Sequence, residues 1–371
     1  MIKVLHCYKT YYPDTFGGIE QVIYQLAEGG RKENIQASVF VHSPDPQSVQ
    51  FEKDNHTVYR VKSLCELAST PFSLQAVAKF RALAQHADIV HYHFPYPFMD
   101  FMHFAAGIDK PCVVSYHSDI VKQKTLALIY APLMKRFLQR VDAIVAASPN
   151  YVETSPVLKH YREKVKVIPY GLDKKFYINP PAVDVEKWQQ RFPMGFFLFI
   201  GTFRYYKGLH ILIEAAKNSQ YPIVIVGAGP IEQELREQAK SLAVDNIHFV
   251  GALDDEDKAT LLSLCTAIVF PSHLRSEAFG ISLLEGALYS KPLISSEIGT
   301  GTTYINLDKQ TGLVVPPADP VALRQAMDRL WNEPDYAKQL GQGAYQRFEQ
   351  LFTAEKMIES YTNLYKSLLN G

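Results

Sequence analysis

The chain has 371 residues, 47% hydrophobic and 20% charged, with 38 basic residues balanced by 38 acidic ones. That length exceeds what one core usually holds, so two domains are expected, and the apolar content excludes a disordered chain. The balanced charge gives no overall reason to expect a nucleic-acid partner.

Cys7, Cys65, Cys112 and Cys265 are far apart and form no CxxC pair. Neither a zinc site nor a disulfide framework is suggested, and reduced thiols in a cytoplasmic protein are expected. Residues 1–7 read as a strand and lack the apolar stretch of a signal peptide. No run approaches the roughly 20 apolar residues that span a bilayer.

Short apolar runs alternate with helical patterns from end to end. Residues 3–6 read as the first strand. Gly17-Gly18-Ile19-Glu20 follows it and opens a helix over 20–32, with Val22, Ile23, Leu26 and Ala27 on one face. Glycines there let backbone amides approach a phosphate or an acceptor, although a tight turn explains the pair equally well. Further strands read over 37–41, 57–61, 89–93, 112–116, 143–147 and 166–168, with a helix over 74–86. Such alternation implies a parallel sheet covered on both faces. Tyr116-His117-Ser118-Asp119 ends one strand, which places His117 at the carboxyl edge where ligands of such sheets bind. His91 and His93 alternate on another strand and read as structural, because no carboxylate at ligand spacing accompanies them.

A linker reads over 177–182. The pattern then restarts, with strands at 196–200, 223–226, 247–250, 267–270, 292–295 and 312–315. Gly201-Thr202-Phe203-Arg204-Tyr205-Tyr206-Lys207-Gly208 leaves the first of them, and its two cations suit a departing diphosphate. Gly227-Ala228-Gly229-Pro230 is either a strand-to-helix turn or a surface for a base or ribose. The richest stretch is Glu277-Ala278-Phe279-Gly280-Ile281-Ser282-Leu283-Leu284-Glu285. Ile281, Leu284, Ala287 and Leu288 recur at helical spacing behind Gly280, so the amides of 279–282 are the unpaired donors of a new helix and attract an anion. Glu277 and Glu285 flank that anion as hydroxyl acceptors, which describes a sugar-nucleotide site. Glu285 and Lys207 are expected to project into solvent. The final helices, over 320–331, 334–348 and 353–370, carry no readable chemistry.

Together GGIE, YHSD, VIPYGLD at 167–173, GTFRYYKG, GAGP and PSHLRSEAFGISLLEGA resemble the retaining glycosyltransferases of family 4, over essentially the whole chain. The resemblance implies an α/β GT-B fold of two doubly wound Rossmann-like domains facing across a cleft. Residues 1–175 would bind acceptor and 176–352 the nucleotide sugar, with the helix from about 353 to 371 packing back on the first. It further implies that Glu285 binds the donor ribose and Glu277 the donor sugar, and that Phe279, Gly280 and Ile281 lie near sugar and diphosphate. Lys207 would hold the diphosphate, His117 would touch the sugar, and Gly17, Gly18, Gly201, Gly227 and Gly229 would line the site. The family's usual arginine falls at Thr202, so Arg204 is expected to substitute. Its usual Gly-Gly and glutamate are replaced by Ile298-Gly299-Thr300-Gly301-Thr302-Thr303-Tyr304, whose hydroxyls remain candidates for phosphate.

The expected reaction is hexosyl transfer with retention, from GDP-mannose by similarity to bacterial O-antigen mannosyltransferases, onto an undecaprenyl-diphosphate-linked oligosaccharide of O-antigen or lipopolysaccharide synthesis. No metal and no further cofactor are expected. A UDP-sugar donor, a nucleotide-sugar epimerase and an inactive sugar-nucleotide binding protein are the alternatives. The aromatic segment 94–104 and the basic, apolar segment 122–140 suit an anionic membrane surface, so a cytoplasmic protein peripheral to the inner face is expected. A core-facing helix with a solvated basic side explains the second segment equally well.

Overall fold

The computed structural model describes residues 1–15, 17–44, 49–67, 70–120, 124–177 and 180–370. Part of the 177–182 linker and Lys122 fall outside those residues. The chain divides into two compact units, Met1–Gly171 with Ala354–Gly371, and Leu172–Thr353.

The first unit holds an eight-stranded sheet in the order Val165–Val167, Ala143–Ala146, Cys112–Tyr116, Ile89–Phe94, Ile2–Cys7, Ile35–Ser43, His56–Lys62, Gln50–Lys53. All neighbours are parallel except Gln50–Lys53, which pairs antiparallel with His56–Lys62. That edge strand escaped the sequence reading because its residues alternate too weakly. A turn at Asp54, with φ of 53°, folds it back. The central strands Ile89–Phe94 and Cys112–Tyr116 are buried along their whole length, as a sheet covered on both faces requires.

The segment 94–104 does not form the membrane-facing surface expected of it. Pro97–Ala105 is a helix whose Phe98, Met99, Asp100, Met102 and His103 are buried. Phe98 packs edge-on against Phe72 at 5.0 Å and His42 at 5.7 Å. Phe101 alone of those aromatics is well exposed, at 45%. The dense aromatic content therefore serves the core, where each ring removes a large apolar area from water. On the helix Lys124–Arg140, Phe137 and Leu138 are buried while Leu128 and Ile129 are about three-quarters exposed, at 74% and 75%.

The second unit is a six-stranded parallel sheet ordered Ile247–Gly251, Ile223–Val226, Phe197–Ile200, Ala267–Phe270, Leu293–Ser296, Gly312–Val315. Its core joins Phe197, Phe199, Leu212, Ile225, Val269, Met327 and Leu330. Strand order reverses between Phe197–Ile200 and its two neighbours, so the loops leaving Phe197–Ile200 and Ala267–Phe270 flank a topological switch point. Open parallel sheets bind ligands there, outside the carboxyl ends of the strands. The last helix, Ala354–Asn370, belongs to the first unit and buries Tyr361 and Tyr365.

Candidate active site

At the switch point of the second unit, Ala267–Phe270 gives way to Pro271 and the buried Ser272. The chain then loops to Gly280, whose φ of 102° suits glycine and directs the helix Ile281–Leu288 away from the strand end. Leu283 N–H already donates to Gly280 O at 3.0 Å. Beside it runs the loop from Gly201, closed by a 3-10 turn over Tyr205–Lys207 and by Gly208 at φ 72°. A Cβ at Gly208 would lie 2.0 Å from Pro271 O, so this glycine lets the two loops touch.

Contact between the loops brings Lys207 onto Glu277. Lys207 Nζ donates to Glu277 Oε2, with side-chain exposures of only 14% and 10%. Ser272 Oγ donates to the same oxygen at 3.4 Å, and the ammonium also lies 4.8 Å from the centre of the Phe270 ring. One carboxylate oxygen thus carries both bonds. Glu285, one turn into the helix and 6% exposed, accepts from Tyr177 Oη at 3.1 Å and lies 3.6 Å from Lys258 Nζ, both through Oε1. Burial works to lower the Lys258 ammonium, but Glu285 and Asp255 together hold it above the ordinary lysine range. The expectation that Lys207 and Glu285 project into solvent is therefore corrected: a charge leaving water at a sheet end is retained only when it is paired, and both find partners in their own chain.

Arg204 is exposed, and Thr202 beside it is exposed too. A Cβ at Gly227 would lie 2.1 Å from Gly201 O, and one at Gly229 would lie 2.3 Å from Phe203 O. With Phe203 N–H donating to Ala228 O at 2.9 Å, these glycines seat one loop on the other. Phe279 is buried against Phe352, with Gly301 N–H donating to Ala278 O at 2.9 Å. Thr300 and Thr302 are fully buried and bond within their own loop. Tyr177, Lys258 and Arg275, whose Nη1 donates to Gly299 O at 3.0 Å, escaped the sequence reading. Tyr177 and Lys258 lie outside every motif, and Arg275, although inside PSHLRSEAFGISLLEGA, takes its partner from a separate loop.

In the first unit, Gly17 precedes the helix Gly18–Gly30, and a Cβ there would lie 2.5 Å from Glu20 Oε2. Glu20 Oε1 accepts from Thr10 at 2.9 Å and Thr15 at 2.7 Å, which ties the preceding loop to the helix start. His117 is buried, and both ring nitrogens are engaged: Nε2 with His93 Nδ1 at 3.0 Å, Nδ1 with Tyr170 Oη at 2.5 Å. His93 Nε2 in turn meets His6 Nδ1 at 3.1 Å. Among the described residues, His6, His91 and His93 form the one group whose nitrogens lie close enough to suggest a metal, within 4.8 Å of one another. The His91 and His93 rings stack at 27°, and both nitrogens of each are hydrogen-bonded, so their in-plane lone pairs do not converge on a common point.

Comparison with known proteins places this architecture. Residues 16–176 match the model of glycosyltransferase family 4, and residues 184–347 match that of glycosyl transferases group 1. The chain is 56% identical over 353 residues to the D-rhamnosyltransferase WbpZ of Pseudomonas aeruginosa, covering 95% of this chain and 93% of that one. It is 53% identical over 370 residues to the O-antigen chain mannosyltransferase C of Escherichia coli, covering both chains in full. The chain belongs to glycosyltransferase family 4. It is a bacterial O-antigen type of glycosyltransferase with the GT-B fold. Sucrose-phosphate synthase from Thermosynechococcus elongatus superposes on this glycosyltransferase with a TM-score of 0.80 at 21% identity, covering all of both chains. HepE of Anabaena, in complex with UDP and glucose, gives 0.77 at 18% identity, covering 99% of this chain and 100% of that one. Among the described residues, no helix is long and apolar enough to cross a membrane.

Proposed function

We propose that this glycosyltransferase moves mannose from GDP-mannose, with retention at the anomeric carbon, onto an undecaprenyl-diphosphate-linked oligosaccharide of O-antigen synthesis. The observation that carries the reading is the Lys207–Glu277 pair beside the N-terminus of Ile281–Leu288. A diphosphate arriving at that helix end draws Lys207 to itself, which frees Glu277 to accept hydrogen bonds from the hexose hydroxyls. Both buried charges stay compensated through the exchange, so binding does not strand an isolated ion. Glu285 holds a ribose hydroxyl through Oε2, since Tyr177 and Lys258 already occupy Oε1.

As the sugar leaves, positive charge grows at its anomeric carbon and negative charge on the diphosphate. Lys207, Arg204 and the amides of Phe279, Gly280 and Ile281 stabilise the second. The acceptor hydroxyl attacks from the face that the leaving group departs, and a phosphate oxygen takes its proton. With the diphosphate neutralised in this way, transfer proceeds without a divalent ion. His117 touches the transferred hexose. The exposed Leu128 and Ile129, on a helix that also carries exposed Lys135 and Arg136, rest on the anionic inner face of the membrane and bring the lipid-linked acceptor within reach.

The name of the 56% identical relative favours a second transferred sugar, D-rhamnose, the 6-deoxy counterpart of mannose. Purified protein should be incubated separately with radiolabelled GDP-mannose, GDP-D-rhamnose and UDP-glucose, with and without lipid extract, in buffer containing EDTA. The proposal expects label in the lipid fraction from GDP-mannose, in an α linkage by NMR. Label from UDP-glucose alone would reassign the donor. A sugar-nucleotide epimer formed without lipid would replace transfer by epimerisation.

A further inference from the structure

The first unit buries a row of polar rings of which the transfer chemistry above uses His117 alone. Parallel register sets His6 beside His91, and His93 beside Ser115. Strand residues two apart share a face, so His91 and His93 with Ser115 and His117 lie together on one side of the sheet. All five side chains, His6 included, are buried at 5% exposure or less. His91 closes a branch of its own, with Nδ1 on Tyr365 Oη at 2.7 Å and Nε2 on Ser115 Oγ at 2.8 Å. The remaining three form a chain: Tyr170 Oη to His117 Nδ1 at 2.5 Å, His117 Nε2 to His93 Nδ1 at 3.0 Å, and His93 Nε2 to His6 Nδ1 at 3.1 Å.

We infer that His6 and His93 are positioning residues for His117, joined with it in a head-to-tail imidazole row whose single proton polarity is set by the Tyr170 hydroxyl. The functional part rests on the reading that His117 touches the transferred hexose. A neutral imidazole has one N–H and one lone pair, so in an unbroken row fixing one proton fixes them all. Tyrosine is the natural donor at the end, because a phenol is the stronger acid and an imidazole nitrogen the stronger acceptor. Tyr170 O–H therefore donates to His117 Nδ1, His117 Nε2–H to His93 Nδ1, and His93 Nε2–H to His6 Nδ1. All three rings are then the Nε2–H tautomer. The same rule applied to Tyr365 and His91 gives that tautomer again.

An imidazolium at His93 or His6 would turn N–H against N–H, the Tyr170 O–H fills the one lone pair of neutral His117, and burial pushes the same way, lowering His117 to about 3. Aligned bonds polarise one another. The Tyr170 O–H and every N–H in this row point towards His6, so the negative end of the row lies at the Tyr170 hydroxyl and its positive end at His6. A neutral His117 leaves the positive charge that grows on the departing hexose unopposed, whereas a charged His117 would oppose it.

The test combines ring tautomers with kinetics. NMR of protein labelled with nitrogen-15 in histidine should find His6, His93 and His117 neutral and protonated on Nε2. Tyr170→Phe removes the first donor, and the inference expects mixed tautomers at His93 and His6, one and two rings beyond His117; a purely space-filling role would not transmit that change. His93→Leu should lower kcat for hexose transfer roughly tenfold with the donor KM within about twofold. His93→Gln, which offers one donor and one acceptor, should recover part of the loss, and circular dichroism confirms that the variants fold. Protonation on Nδ1 in the native protein, unchanged His93 signals in Tyr170→Phe, or native kcat in His93→Leu would each overturn the inference. A native protein that moves no hexose from any sugar nucleotide would sink the functional reading instead, and the tautomers would still decide the row.

Discussion

Mild acid should unfold the first unit while the second remains intact. Burial holds His6 and His117 down to about 3, with His56 adding to the effect on His6, against an ordinary 6.5. Burial also lowers His42 and His103 to about 4. A histidine depressed in the fold takes its proton first in the unfolded chain, so stability is full above about pH 6.5 and falls as pH drops towards the folded value. At about pH 5, with about 1.4 kcal/mol per pH unit, each of the four costs about 2 kcal/mol, and the four together about 8 kcal/mol. That is comparable with the whole stability of a domain, about 5–15 kcal/mol. The second unit's His210, His248 and His273 are lowered by burial as well, but each keeps part of its surface in water.

Both tryptophans of the chain, Trp188 and Trp331, belong to the second unit, so their emission reports that unit alone while far-ultraviolet circular dichroism reports both. On titration from about pH 7 to about pH 4.5, ellipticity should fall before the emission shifts, with its midpoint between about pH 6 and 5. Coincident transitions, or full ellipticity at the acid end, would refute the reasoning.

Three further outcomes follow from the same contacts. Lys207→Met leaves Glu277 buried without its cation and should cost the second unit about 3–5 kcal/mol, read by tryptophan-monitored urea unfolding. Adding Glu277→Gln should restore most of that stability but none of the transfer, and equal stability of the single and double variants would show that the pair is not coupled. Gly208→Ala forces a Cβ onto Pro271 O in a left-handed conformation, and should lower stability by at least about 1–3 kcal/mol; an unchanged melting temperature would contradict the tight loop contact. Leu128→Glu with Ile129→Glu should weaken flotation with anionic vesicles while leaving melting unchanged, since both side chains are exposed; undiminished flotation would remove this helix from the membrane surface.

Alternation of apolar runs with helical spacing was enough to read two α/β units and nearly every strand, because a parallel sheet buried on both faces needs continuous apolar segments wherever it occurs. The motif PSHLRSEAFGISLLEGA was legible for a similar reason: a glycine between a buried strand and an amphipathic helix leaves a helix start that neighbouring carboxylates can flank. What those carboxylates touch was not legible. Glu277 meets Lys207 and Glu285 meets Tyr177 across 70 and 108 positions of chain, and no local spacing encodes such a distance. The histidines show the same division. Alternation of His91 and His93 put them on one face, but His6 and His117 join them through strand register and the order of strands in the sheet, and Tyr361 and Tyr365 through the docking of the last helix. Local pattern determines which backbone each segment adopts, since that depends on neighbours three or four residues away; partners for buried charges and rings are chosen only when distant segments pack and water is excluded.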